Sequence, residues 1–393
     1  MLHLQNIASN YDYLMKKVFV QLESGRGFGR DILKGIYNYN NQFSKWEIIF
    51  EPSYYLKTSK NDNLIKLISE IKPDGCIIEN LKGAKKITEL GIPMVLTSSI
   101  NKTNNTPFLK GNYDADGKIA LEYFSSKGFK NTAFFGINNV KWSDGRLKSF
   151  EKHAQKLNIN VYNYTPKKKK DINHNLKHIV SWLQLLPKPI GIFCCNDDLG
   201  IILINACSMA KLRIPYEVAI LGVDNDELLC SVVHPQLSSI ARNHSAAAFN
   251  ACKVLNNMMN HLNVDNYIIP TEPLSVIERG STDTIASNDK EVIKALNFIR
   301  TNTHRNLTVE NVVAETNISR RSLYTRFKKT TNRTILEEIQ FQKIKKFKTL
   351  LTNQKLSVKE IAFHLGFEDV SHVSRWFSSI EGTPPLKWRK QNI

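Results

Sequence analysis

The sequence predicts an α/β part of two lobes, each a doubly wound parallel sheet, followed by an all-α domain with two helix-turn-helix motifs. Three observations predict it. From Lys16 to about Thr282, short apolar runs alternate with amphipathic stretches. These strand-helix units are too many for one small sheet, and 393 residues are too many for one ordinary core. Beyond Asp289 the strand-like runs stop, and two successive patterns of short helices, turn and capping residue follow in a basic segment.

The strand-like runs come first. They are Val18-Phe19-Val20, Glu47-Ile48-Ile49-Phe50, Gly75-Cys76-Ile77-Ile78, Met94-Val95-Leu96, Ala133-Phe134-Phe135, Ile190-Gly191-Ile192-Phe193 and Ala219-Ile220-Leu221-Gly222-Val223. Gly, Pro, Asn or Asp bound most of them. Between them lie helical spacings such as Leu64, Ile65, Ile68 and Ile71, or Ile201, Leu203, Ile204 and Met209. Near-continuous apolar strands alternating with helices indicate a parallel sheet covered on both faces. Open sheets of this kind bind ligands at the carboxyl ends of their strands. Here those ends carry Gln21 and Glu23, Thr97-Ser98-Ser99, Asn196-Asp197-Asp198 and Asp224-Asn225-Asp226. A cleft so lined suits a polyhydroxyl ligand. Asn and Asp after a strand also cap the next helix or make a turn, so either role is open for each of them. Gly25-Arg26-Gly27-Phe28-Gly29 lacks the Lys-Ser/Thr of a phosphate-binding loop and is read as a place where backbone approaches a ligand.

The helical segment begins after the small polar run Thr282 to Asp289. Val292, Leu296 and Ile299 recur at helical spacing. Thr308 is placed to cap a helix whose Val309, Val312 and Val313 face inward. Asn317 is expected to end it in a left-handed turn. Ser319 caps the next helix, in which Leu323 and Phe327 bury, leaving Arg320, Arg321, Tyr324 and Lys328 outside. Such arginines grip guanine O6 and N7 or bind phosphate. A long helix from about Ile335 to Leu351 leads to a second motif. Ser357 caps it, Val358, Ile361 and Ala362 face in, and Gly366 takes the turn. Phe367 packs the corner. Glu368 or Asp369 caps a last recognition helix in which Val373 and Phe377 bury and Ser371, His372 and Arg375 face the groove. Thr383-Pro384-Pro385 stops that helix.

Charge agrees with a nucleic-acid partner. The formal net charge is +18, and from Asn288 onward 20 Lys and Arg stand against 10 Asp and Glu. Such a segment attracts phosphate by counterion release. The four lysines Lys167–Lys170 read as a solvated loop. Asn6, Asn10, Asp12 and two lysines interrupt the start of the chain. No signal peptide or membrane span is therefore expected, and the location expected is cytoplasmic. The six cysteines, at 76, 194, 195, 207, 230 and 252, show no C-x-x-C pairing and read as reduced, buried thiols rather than a metal or disulfide set. No phosphate loop, G-x-S-x-G, metal-ligand cluster or His–Cys pairing stands out, so a sugar-processing enzyme with a DNA-binding tail is the weaker reading and no cofactor is expected.

From Lys290 to Arg389 the segment resembles the AraC/XylS family of bacterial transcription regulators. The resemblance is carried by Ile361-Ala362, Leu365-Gly366-Phe367, the Val370–Phe377 helix and the closing Gly382-Thr383-Pro384-Pro385 with Trp388-Arg389. Val373 stands where the family usually has Phe, and Ser378 where it often has Lys. The stretch Cys195-Asn196-Asp197, Ile214-Pro215 and Gly222–Leu228, with Lys34-Gly35-Ile36, resembles the periplasmic-binding-protein-like sensors of the LacI/GalR group. That resemblance implies sugar contacts from Asn196, Asp224 and Arg146. Trp142 stacks well on a pyranose face, and Glu23, Arg30 and Ser98 complete the expected effector set. Asn112-Tyr113 departs from the Asp-Asn common in the family.

The two resemblances together imply a sensor over residues 16–283 behind a tail of 1–15. Its first lobe is about 16–111 and 242–269, and its second about 112–241 and 270–283. A linker at 284–289 and a DNA-binding domain at 290–393 follow. The sensor-first order, with Lys141-Trp142 before Arg146 and Val276–Asp283 at the junction, resembles that of sugar-operon regulators. It implies D-xylose as effector and activation of catabolic genes, with another pentose, polyol or nucleoside as the alternative. Operator DNA, RNA polymerase and a second copy of the chain are the partners expected.

Overall fold

A computed structural model of the chain describes residues 15–43, 45–52, 61–79, 84–98, 106–166, 176–264, 268–352, 355–367 and 370–392. The lysine run Lys167–Lys170, Ser99 and the candidate caps Glu368 and Asp369 fall outside them. The described residues form two compact units. One runs to Ser126 and resumes over Lys130–Asp283; the other combines Lys127–Phe129 with the chain from Thr284.

The first unit holds two six-stranded sheets. In chain order its elements are β1 (Lys17–Leu22), α1 (Gly27–Phe43), β2 (Glu47–Pro52), α2 (Asn61–Ile71), β3 (Gly75–Ile78), α3 (Ala84–Glu89), β4 (Met94–Leu96), β5 (Phe108–Gly111), α4 (Tyr113–Ser126), β6 (Asn131–Phe135), α5 (Lys141–Lys156), β7 (Asn160–Tyr164), α6 (Leu176–Leu185), β8 (Ile190–Cys194), α7 (Asp197–Met209), β9 (Val218–Asp224), α8 (Glu227–Val232), β10 (Ser238–Arg242), α9 (His244–Met259), β11 (Ile268–Thr271) and β12 (Pro273–Ile277). The sheet orders are β11-β5-β4-β3-β1-β2 and β12-β10-β9-β8-β6-β7. All the pairings are parallel except β10 with β12, where Ile240 faces Val276 in an antiparallel edge. Every apolar run singled out above lies in a strand; all but Glu47–Phe50, in the part-exposed edge strand β2, are buried on both faces, where there is no polar side to alternate with. In the first sheet, Val18 pairs Ile48 and Val20 pairs Ile77, and the faces pack on α1 and α9 on one side and on Ile68 and Ile87 on the other. Gly35 permits the close crossing of α1 on α9: a Cβ there would lie 2.2 Å from the Ser245 carbonyl oxygen. Met209, expected inside α7, is 57% exposed at the helix end.

The chain passes between lobes after β5, after β10 and after β11. Thr271 still pairs with Gly111 in the first sheet, so the last crossing comes two residues later than expected. All six cysteines are buried and unpaired. Among the described residues no helix is long and apolar enough to cross a membrane.

The second unit contains α10 (Lys290–Thr301), α11 (Val309–Glu315), α12 (Arg320–Thr331), α13 (Ile335–Leu351), α14 (Val358–His364), α15 (Val370–Glu381) and α16 (Pro385–Asn392). It has two cores. Val292, Ile299, Val312, Leu323, Phe327 and Ile339 form one; Phe347, Leu351, Ile361, Leu365, Val373 and Phe377 form the other. The long helix α13 contributes to both. Thr308, Thr334 and Ser357 each make a capping box, and Asp289 caps α10 through Glu291 and Val292. Asn317 is not left-handed. α11 ends at an extended Thr316, and the Asn317 amide donates to Glu291 Oε2 at 2.7 Å. The left-handed asparagine is Asn332, after α12. Gly366 does take positive φ, and a Cβ there would meet the Arg305 backbone at 2.8 Å. The helix α16 went unread, because the two prolines signal only the end of α15. Pro385 instead occupies the first position of α16, where proline is favoured.

Candidate effector site and nucleic-acid interface

A cavity of about 530 Å³ opens between the carboxyl ends of the two sheets. From the first lobe it takes Glu23, Glu79, Thr97 and Ser98, which directly follow β1, β3 and β4, with Phe28 and His244 from the starts of α1 and α9. From the second it takes Tyr113, Trp142, Arg146, Asn196, Asp197, Asp224 and Arg242. Of the seven residues expected to hold the effector, Glu23, Ser98, Trp142, Arg146, Asn196 and Asp224 line it. Arg30 does not. It donates to the Gly25 carbonyl at 2.9 Å and pairs with Asp226, so it ties the first lobe to the second beside the cavity. Arg26 and Asp198 make a second such tie at 3.5 Å. Gly27 of the glycine loop also meets the cavity, pressed so close to Asp226 that a Cβ would lie 2.8 Å from its Cβ.

Asn196 keeps both of its expected roles in play. It lines the cavity, yet its Oδ1 accepts from the Leu199 amide at 3.1 Å and its amide donates to Asp198. Its free hydrogen-bonding capacity is therefore small.

A buried ionic network forms the second lobe's wall. Asp116, fully buried on α4, accepts from Arg146 Nε at 2.7 Å and pairs with Arg242. Arg146 also donates to the Cys195 carbonyl at 2.6 Å and stands 3.5 Å from Asp224 Oδ1. Its guanidinium carbon sits 5.7 Å from the Tyr113 ring centre and 5.6 Å from that of Trp142. Arg242 donates to the Thr271 carbonyl at 2.7 Å, which secures the last crossing, from the first lobe back to the second. Asp224 reaches His244 Nε2 at 3.3 Å, across the cleft. Burial pushes the Asp224 carboxyl up, but the His244 hydrogen bond and the Arg146 charge outweigh it and hold the group well below the usual carboxylate range. The Asp224 backbone has φ 97°, a conformation that disfavours side chains and is typical of ligand sites. Among the described residues, three buried cavity atoms lack a hydrogen-bond partner: Thr97 Oγ1, Arg242 Nε and His244 Nδ1.

Asp197 behaves oppositely to Asp224. Burial first, then the Asp224 charge, push its carboxyl up to about 8, although it accepts from the Asp226 amide at 2.7 Å and from Ser239. A carboxyl raised in the folded state stabilises below its unfolded value of 3.8, and that contribution is lost as pH rises through about 8. Thermal unfolding of the chain at pH 6 and pH 8.5 should therefore show a fall in stability that Asp197→Asn reduces. An unchanged slope in the variant refutes this role.

In the second unit, α12 and α15 present the groove-side candidates. Arg320, Arg321 and Lys328 are exposed and Tyr324 is half-buried. Arg320 leans over the Tyr324 ring at 5.5 Å and pairs with Glu310 at 3.2 Å. The Ser319 hydroxyl is spent on the cap, accepting from the Ser322 amide at 3.3 Å. His372 and Arg375 are exposed and 3.4 Å apart. The Ser371 side chain lies outside the described residues. The closing motif is structural. Gly382 takes positive φ, Trp388 packs on Phe377, and Arg389 donates to the Leu351 and Leu356 carbonyls.

Sequence reasoning missed Asp116, Arg242, His244, Tyr113 and Glu79 as parts of the site; Thr97 was named among the strand-end residues but not in the effector set. One signal was present: Asp116 shares the buried face of α4 with Gly117, Ala120, Leu121 and Phe124, and a carboxylate among such residues needs a cation.

A periplasmic binding protein-like domain matches residues 121–282, and a helix-turn-helix domain matches residues 312–391. A ligand-cleft sensor joined to a helix-turn-helix reader defines the class: the chain is a sensor-linked DNA-binding transcription regulator. It is homologous to the xylose operon regulatory proteins across nearly its whole length. It is 26% identical to that of Haemophilus influenzae, covering 95% of this chain and 98% of the relative, and 24% identical to that of Escherichia coli K12, covering 96% and 97%. The solved structure of a xylose-binding transcription activator shares the fold, with a TM-score of 0.74 and 23% identity over 97% of this chain and 99% of that one.

Proposed function

We propose that the chain is a D-xylose-dependent activator. The sugar binds between the lobes and changes how the second unit engages operator DNA. The observation that carries this reading is the agreement of two facts. The cavity wall is built of hydroxyl-binding groups (Glu23, Ser98, Arg146, Asp224) with aromatic neighbours, and the relatives that match nearly end to end are named for xylose.

The chain acts as a homodimer, because paired sites on DNA gain affinity through linked binding. RNA polymerase is the further partner that activation requires. Sugar and operator are coupled reciprocally, by about 1–3 kcal/mol. Calorimetry of the full chain against D-xylose, L-arabinose, D-ribose, a pentitol and a nucleoside tests the effector, and operator binding with and without the ligand tests the coupling. Absence of binding to every member of the panel overturns the sensor reading. A stronger response to another member replaces D-xylose.

At the DNA end, Arg375→Ala should weaken operator binding by about 1–3 kcal/mol and relax selectivity at one base pair if Arg375 reads a base. A loss of equal size on every sequence, in a salt-dependent binding assay, makes it a phosphate contact instead.

A further inference from the structure

The ionic network fixes the second lobe's side of the cleft. On the first lobe the polar groups are fewer, and two of them stand side by side. β3 and β4 are neighbours in the sheet, with Ile78 paired to Leu96. Glu79 and Thr97 are the next residues on each strand, so they lie at the same level on adjacent carboxyl ends, about 4.8 Å apart across the sheet. Both line the cavity.

Their hydrogen bonding is incomplete in complementary ways. Thr97 is 2% exposed, and its Oγ1 has no partner among the described residues. A buried hydroxyl left in that condition costs free energy unless something polar meets it. Glu79 Oε2 accepts from the Glu23 amide at 2.7 Å, which fixes the carboxyl plane. Among the described residues no donor reaches its other oxygen. Burial pushes this carboxyl up from its ordinary value, so it gains from a neutral hydroxyl donor. One anchored acceptor beside one hydroxyl that can donate or accept is the chemistry for two adjacent hydroxyls of a sugar.

We propose that Glu79 and Thr97 are a specificity-determining pair that reads a vicinal diol of the effector from the first lobe. This rests on the sensor reading above. The wall opposite reads the rest of the sugar, so an epimer or deoxy analogue altered at that diol is rejected by the first lobe alone. A site built to bind a hydroxyl rejects the analogue that lacks it more strongly than an apolar pocket rejects an extra one.

The test uses the full chain and whichever pentose of the panel binds. Calorimetry should show Thr97→Val and Glu79→Gln each weakening that pentose by about 10- to 100-fold, equivalent to about 1.4–2.8 kcal/mol. Thr97→Ser should retain most of the affinity, and operator binding without sugar should not change. The wild type should lose a similar factor against two of the three ring-position deoxy analogues. Thr97→Val should bind one of those two as well as it binds the parent sugar. If both variants bind the pentose as the wild type does, or if the wild type binds every deoxy analogue as tightly as the parent sugar, the pair is not the reader and the sensor reading stands. If no pentose binds the wild type, the sensor reading falls first and takes the pair's ligand with it.

Discussion

Asp116→Ala should destabilise the sensor unit by about 3–5 kcal/mol, the cost of leaving buried charges without their counter-charge. The side chains of Arg146 and Arg242 are 5% and 1% exposed, and both rest on this one carboxylate. Removing it leaves Arg146 with the Cys195 carbonyl and the more distant Asp224, and leaves Arg242 hydrogen-bonded to only the Thr271 oxygens. The measurement is urea unfolding of the full chain, read as a lower midpoint with an unchanged slope for the sensor transition. Asp116→Asn keeps the acceptor oxygen and loses the charge, so its loss should be smaller than that of Ala. Should both variants unfold at the wild-type midpoint, the network does not hold this wall together.

Asp224→Ala should weaken the sugar by at least about 100-fold, some 2.8 kcal/mol, and abolish the sugar response. Asp224 is an ionised acceptor set between Arg146 and His244, and its backbone is held in a conformation that only strong local constraints maintain. Operator binding without sugar should be unaffected, since the residues assigned to DNA all lie in the second unit. Calorimetry and a promoter-binding assay run side by side separate the two effects. A variant that answers sugar normally places the effector's main acceptor elsewhere.

The parts of the fold legible in the sequence were those whose signal is local. Val18–Val20 and Ala219–Val223 announce themselves because both faces of their strands are covered. Ser319, Thr308 and Ser357 mark helix starts because a hydroxyl at that place takes an otherwise unpaired amide. β7, with the sequence Asn160-Val161-Tyr162-Asn163-Tyr164, was not legible. It is an edge strand and largely exposed, so nothing forces its residues to be apolar. The same split runs through the site. Glu23, Ser98 and Asp224 could be found because each lies at or just past the carboxyl end of a recognisable strand. Asp116 and Arg242 could not be paired beforehand, since 126 residues separate them and only the folded chain brings them together. Arg30 shows the converse error: an arginine near the right loop was taken for a ligand group, and its guanidinium is already satisfied by Asp226 and two carbonyls.

The three crossings between the sheets have a practical bearing on dissection of the molecule. A fragment that stops at Gly111 lacks α9, which covers one face of the first sheet, and lacks its edge strand β11. A fragment that starts at Asn112 and runs to Asp283 carries those two elements as surplus, with their apolar sides bare. No single cut of the gene yields either half intact. Complementation by split pieces, or a permuted chain that joins the two segments of one lobe directly, is the way to study a half alone.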